Sequence, residues 1–114
     1  MVKGLWNATS RFIARTGVTP QSLAPHLTPS GEWNNNMYYT NFEISRFDWW
    51  RSAAVRAFCD HLLRDGGVYS ARWGDAPIHL LAVSLFLPPA AQQAFTTAIP
   101  YWHQYYVNLP QVKG

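Results

Sequence analysis

Apolar positions recur along this chain with helical spacing at both ends of its first ninety residues, and with strand-like alternation between. Leu5, Trp6, Phe12 and Ile13 fall on one side of a short amphipathic helix from Leu5 to about Arg15, which Gly17 and Pro20 close. From Thr19 to Asn36 the rhythm is lost. Pro20, Pro25, Pro29, Gly31 and the run Asn34-Asn35-Asn36 predict a loop with one helical turn at most. Met37 to Ile44 is aromatic and β-branched, which predicts a strand with Tyr39, Asn41 and Glu43 on one face. Tyr38, Thr40, Phe42 and Ile44 occupy the other face.

Ser45, with Asp48 three positions on, predicts a capped helix start. Its apolar stripe would be Trp50, Ala54, Ala57, Phe58, His61 and Leu62, and Asp65-Gly66-Gly67 would end it. Val68 to Trp73 is a second strand candidate. Asp75 is placed to cap a further helix, with Pro77 in the first turn where proline is tolerated. The nearly all-apolar run Ile78 to Leu87 predicts that this helix is buried, and Pro88-Pro89 stops it. A short helix near Ala90 to Thr97 and an aromatic tail, Tyr101 to Tyr106, follow.

The expected architecture is therefore α/β, with about two to three strands and three to four helices. So few strands make no well-covered sheet alone, so the chain reads as the edge of a larger α/β domain. It divides into the 19–36 loop and a motif-bearing core from 41 to 88 within one partial domain, 1–114. At 114 residues there is room for one small domain. Charged residues make up 13%, about half the usual share, and aromatics 16%, so this is no disordered or polar linker. The aromatic excess fits a dense core or a surface that a partner or sugar covers.

The net charge of +3 is spread over basic residues that form no run, which argues against nucleic-acid binding. Cys59 stands alone in an apolar helical pattern and reads as a structural thiol; no internal disulfide or zinc spacing is possible. No signal-peptide pattern or membrane-length apolar run is present.

The candidate chemistry gathers in two stretches. Glu43 shares a predicted face with Asn41 among tyrosines, where a carboxylate can act as acid or base, nucleophile, or holder of a sugar hydroxyl. Its structural alternative is a carboxylate paired with Arg46 or Arg72. Further on stands Arg72-Trp73-Gly74-Asp75-Ala76-Pro77-Ile78-His79. Asp75 and His79, four apart at a helix start, share one side of its first turn, where an anion or a cation-bound diphosphate is favoured. Capping alone accounts for Asp75, and a partly buried structural role accounts for His79. Arg72 and Trp73 suit a phosphate and a sugar ring, or an ion pair and the core.

The ordered pair of segments Asn41-Phe42-Glu43-Ile44 and Arg72 to His79 resembles glycosyltransferase family 15, the fungal-type α-1,2-mannosyltransferases. Asp48-Trp49-Trp50-Arg51-Ser52, Asp65-Gly66-Gly67 and Leu85-Phe86-Leu87-Pro88 add to the resemblance, which runs from about Leu5 to Tyr106. It departs where the family tends to have Cys-His and this chain has Asn36-Met37, and no Asp-x-Asp or Glu-Pro-Asp is present. The resemblance implies the C-terminal part of a GT-A-like nucleotide-sugar transferase that moves mannose from GDP-mannose to a mannoside acceptor with retention. It implies Glu43 as the catalytic carboxylate, His79 as a Mn²⁺ ligand, and Arg72, Trp73, Asp75, Tyr39 and Asn41 as substrate-binding groups. It also implies a Golgi-lumenal membrane protein, with no anchor in this chain, and a segment inactive alone because the donor-binding half lies elsewhere. The competing expectation is a non-catalytic carbohydrate-binding or interaction module using Tyr38, Tyr39, Trp73 and Trp102, or a degenerate fragment.

Overall fold

The computed structural model describes residues 2–93, 100–103 and 106–108. Helix α1, Leu5–Thr16, places Leu5, Ala8 and Phe12 on one buried stripe, with Gly17 ending it in a left-handed conformation. The loop that follows holds a single 3₁₀ turn, Ala24–His26. It is pinned to the core by Leu23 and Trp33, each 5% exposed, and by a bridge between Leu27 and Trp33.

Two helices then follow where one was expected. Helix α2, Phe47–Trp50, is a single turn, and α3, Ala53–Asp65, begins after a break at Arg51 and Ser52. Ser45 caps neither helix. Arg46 is the residue before α2, and its guanidinium, not a cap, engages Asp48. The buried stripe of α3 is Val55, Phe58 and Leu62, while Ala54 and Ala57 face solvent. The i, i+3, i+7 spacing survives, but the larger residues have taken the inner face.

The predicted strand at Val68–Trp73 is absent. Gly66 closes α3 at φ 81°, and the chain turns directly into the short helix α4, Gly67–Ser70. A β-carbon on Gly67 would lie 2.2 Å from the Trp73 ring, so the doubled glycine is a packing site as well as a turn. Met37–Ile44 is likewise no strand. It runs in irregular conformation with no strand beside it among the described residues to complete a ladder, and Met37, Tyr39, Phe42 and Ile44 are about half exposed or more. β-branched and aromatic composition reflects fit to a half-buried pleated surface, and no such surface is offered here.

Helix α5, Asp75–Phe86, is buried on nearly every side through Pro77, Leu80, Leu81, Ala82, Ser84 and Leu85. Gly74, not Asp75, is its cap residue, and Asp75 is the first helical position. The α5 terminus is tied into the fold by Gln21 and Ser22, whose N–H groups donate to the Ser84 carbonyl at 3.1 and 2.9 Å. Helices α1, α3 and α5 meet at Phe12, Phe58 and Phe86, whose rings lie 5.2–6.3 Å apart edge to face.

After a 3₁₀ turn at Pro89–Ala91, residues 94–97 of the expected helix lie outside the described residues. The aromatic tail forms a two-stranded antiparallel hairpin, β1 (Tyr101–His103) with β2 (Tyr106–Asn108), in the register Tyr101↔Asn108. The described residues are thus mostly helical with one short hairpin, in place of the expected α/β alternation. Among them, no helix is long and apolar enough to cross a membrane.

Candidate functional site

Residues 38–39 and 41–46, the single-turn α2, one side of α5 from His79 to Val83 and the residues Leu87, Gln92 and Tyr101 beyond it line an open cleft of about 1310 Å³. At its wall the Glu43 carboxylate and the His79 imidazole meet at 2.7 Å, Oε2 to Nδ1, with side chains 30% and 27% exposed. An ionised carboxylate can only accept, so the hydrogen shared between them is on Nδ1. The His79 ring also packs against the Trp50 indole at 4.5 Å between centroids, tilted by 44°. The Trp50 Nε1–H in turn donates to Ser45 Oγ at 2.9 Å.

A second link runs beside the first. Thr40 Oγ1 donates to Asp75 Oδ2 at 2.8 Å. That hydroxyl holds the Asp75 carboxyl below the usual carboxylate range; desolvation opposes it, and the first backbone N–H groups of α5 and nearby His79 add smaller effects in the same downward direction. On the other flank the Tyr38 hydroxyl donates to Gln92 Oε1 at 3.2 Å, and burial together with the Glu43 charge pushes the phenol upward. The Gln92 side-chain nitrogen donates to Ser22 Oγ at 2.7 Å and to the Leu87 carbonyl at 3.1 Å, which anchors this flank to the end of α5.

Glu43 is therefore no arginine-paired carboxylate. Arg46 is spent on Asp48, whose carboxyl it holds down, and Arg72 forms no ion pair among the described residues. Tyr39 and Asn41 line the cleft with Glu43 and His79. Asp75 adjoins them through Thr40. Arg72 and Trp73 do not line it. Of the two readings open for Trp73, the structure shows the core one: the ring is 5% exposed, and Nε1 donates to the Lys3 carbonyl at 2.8 Å. A ring so covered offers no face for a sugar. Arg72 is exposed and has φ 55°, a backbone conformation set by the turn into α5. Cys59 is half-buried, and burial, aided by Asp60, pushes its thiol upward, away from nucleophilic character.

No group of three or more His, Cys, Asp or Glu side chains poised for a metal ion occurs among the described residues. His79 still has the chemistry of one ligand. A carboxylate on one ring nitrogen orients the other and raises its basicity, as the outer partners of metal-bound histidines do. A hard cation needs several oxygen donors besides. One imidazole nitrogen does not by itself make a site for such a cation.

Thr40, Trp50 and Gln92 were not singled out from the sequence as parts of this site. The alternation puts Thr40 on the strand face opposite Glu43 and the spacing puts Trp50 on a helical stripe; in the structure Thr40 bonds Asp75, and Trp50, on α2, lines the cleft. Two signals predicted shared faces: the alternation of Tyr39, Asn41 and Glu43, all of which line the cleft, and the i, i+4 spacing of Asp75 and His79.

The sequence profile of the family described as Glycolipid 2-alpha-mannosyltransferase matches residues 1–114. The chain belongs to that family. It is 36% identical to Glycolipid 2-alpha-mannosyltransferase 1 of Candida albicans over 113 residues, covering 93% of this chain and 25% of the relative. It is likewise 36% identical to the O-glycoside alpha-1,2-mannosyltransferase omh1 of Schizosaccharomyces pombe, covering 90% of this chain and 27% of the relative. The X-ray structure of the mannosyltransferase Ktr4p from S. cerevisiae in complex with GDP superposes with a TM-score of 0.84 at 29% identity, over 93% of this chain and 30% of that one. The helical segment thus has its counterpart inside a mannosyltransferase, and the chain spans about a quarter of the length of the curated relatives it matches.

Proposed function

We propose that this segment forms the acceptor-side wall of a retaining α-1,2-mannosyltransferase of GT-A-like fold, which moves mannose from GDP-mannose to a mannoside hydroxyl. The observation that carries the reading is the Glu43–His79 contact of 2.7 Å at the wall of an open cleft, within a chain of this family. In the transfer, the bond between mannose C1 and the diphosphate oxygen breaks and GDP leaves with the electron pair. The acceptor oxygen bonds to C1 and its proton passes to the departing diphosphate oxygen, which holds the freed electron pair. Glu43 is the group at the reacting face, either as the nucleophile of a covalent intermediate or as the carboxylate that steadies same-face attack. His79 holds Glu43 by Nδ1–H. Its Nε2 would be this chain's ligand to Mn²⁺, which when bound supplies charge neutralisation at the diphosphate.

Tyr39 and Asn41 are the acceptor-facing groups, and Asp75 supports the wall through Thr40. A Golgi-lumenal setting for the full protein belongs to the same reading and is supported by family membership alone. Because the chain spans about a quarter of its relatives, the isolated 114 residues are expected to transfer no mannose. A second reading, sugar binding without transfer, draws support from Tyr39 and Trp102, which are 54% and 74% exposed.

The test is a chimera in which residues 1–114 replace the matching quarter of the glycolipid 2-alpha-mannosyltransferase of Saccharomyces cerevisiae, which is 36% identical over 110 residues. Transfer from GDP-mannose is expected, with Glu43→Gln lowering it about 10²–10⁴-fold. A folded chimera that binds mannoside without transferring it supports the second reading. Equal activity with and without Glu43→Gln contradicts the first.

A further inference from the structure

The segment that carries Glu43 has no strand ladder to fix it, so its position depends on side-chain links at separated points. Thr40 and Glu43, three apart on that segment, meet Asp75 and His79, four apart on α5. Four helical residues span about 6 Å along the axis. The two links therefore lie side by side as a two-point clasp between an irregular segment and a rigid helix. The Glu43–His79 link alone would fix the distance here and leave the local direction to the Tyr38–Gln92 and Ser45–Trp50 bonds at either end of the segment. Two fix its direction as well as its distance.

We propose that Thr40 is a positioning residue: through Asp75 it clamps the Met37–Arg46 segment onto the first turn of α5 and so holds Glu43 against His79. This rests on the reading of Glu43 as the reacting carboxylate. Each part of the clasp has a physical reason. Asp75 is the first residue of α5, where the helix terminus favours a negative charge. Helix α5 is immobilised by Leu80, Leu81 and Leu85, all 0–1% exposed. The Thr40 hydroxyl must donate because a carboxylate has no hydrogen to give, and its β-branch restricts the side chain to few rotamers. On the far side of Glu43, the Ser45–Trp50 bond and the Trp50–His79 ring contact limit the same segment. The Thr40 hydroxyl bonds to Asp75, and it acts on Glu43 through that carboxylate.

The experiment reads the ring nitrogens of His79 by ¹⁵N NMR on the 114-residue chain at one fixed pH near 7.5, without sugar, nucleotide or metal. The unaltered chain is expected to show His79 as the Nδ1–H tautomer, because the hydrogen bond to Glu43 selects it. Thr40→Val, isosteric but without the donor, is expected to lose that preference and give the mixed tautomers of a free imidazole. Thr40→Ser is expected to restore it. Asp75→Ala breaks the same bond from the exposed side of α5 and should reproduce Thr40→Val, so an unfolded Thr40→Val does not decide the matter. Retention of the Nδ1–H tautomer in both Thr40→Val and Asp75→Ala overturns the proposal, as does a mixed tautomer in the unaltered chain. Mannose transfer plays no part in this readout. A failed transferase reading therefore leaves the clasp standing, and a failed clasp leaves Glu43 open to test in the chimera.

Discussion

The helical core and the cleft wall of this chain carry comparable apolar side chains and are held together by opposite means. Phe58 is 0% exposed and packs edge to face on Phe12 and Phe86. Ile44, fourteen residues earlier, is 76% exposed. In the core, removal of apolar surface from water supplies the stability, at about 1.5–3 kcal/mol for each fully buried large side chain. Along the wall that term is small, and hydrogen bonds donated by Tyr38, Thr40 and Trp50 and accepted by Glu43 from His79 set the shape. The core can thus be strong without fixing the site, and the site can change without unfolding the core.

That separation is broken most severely from the core side. Phe58→Ala is expected to cost about 3–5 kcal/mol, read as a lowered urea midpoint, whereas Ile44→Ala should stay within about 0.5 kcal/mol. Comparable losses at both positions would mean that the wall is packed in solution. Next in size is Gly67→Ala. Its new methyl group meets the Trp73 ring, and overpacking of this kind costs about 1–3 kcal/mol. A neutral result in the same denaturation series would show that Trp73 has room to move.

On the wall, Glu43→Gln should leave stability within about 1 kcal/mol, because a partly exposed pair contributes little, while removing the transfer activity of the chimera. A large loss of stability would place Glu43 among structural groups instead. The smallest effect is a pH dependence. Thr40 holds the Asp75 carboxyl below its ordinary value near 3.9, so the contribution is present above that pH and is lost as pH falls through the folded value. The melting temperatures of the unaltered chain and Thr40→Val should therefore converge as pH is lowered from neutral to about 3. Solvent screening of an exposed carboxylate keeps the gap small at any pH.

The same contrast decides what could be read from sequence. Helices α1 and α5 announced themselves through spacing, Gly17 and the Pro88-Pro89 stop, because core burial and local backbone rules act together there. The Asp65-Gly66-Gly67 ending of α3 was readable for the same reason. Both predicted strands failed because strand propensity needs a pairing partner, and neither Met37–Ile44 nor Val68–Trp73 has one among the described residues. Glu43, His79 and Asp75 were named from residue type and resemblance. Their mutual geometry was not readable, because it arises from an irregular segment folding across α5. Trp73 was divided between sugar and core, and only the fold could choose, since the deciding contacts are with Gly67 and with Lys3, 70 residues away in sequence.

The central claim is that the wall bearing Glu43 and His79 faces the acceptor sugar. Titration of methyl α-mannoside into the ¹⁵N-labelled 114-residue chain tests it most directly. Shifts are expected at Tyr39, Asn41, Glu43, Trp50 and His79 alone, with the buried faces of α1 and α3 unmoved. Shifts centred on α1 or α3, or none at saturating sugar in a folded chain, would contradict it.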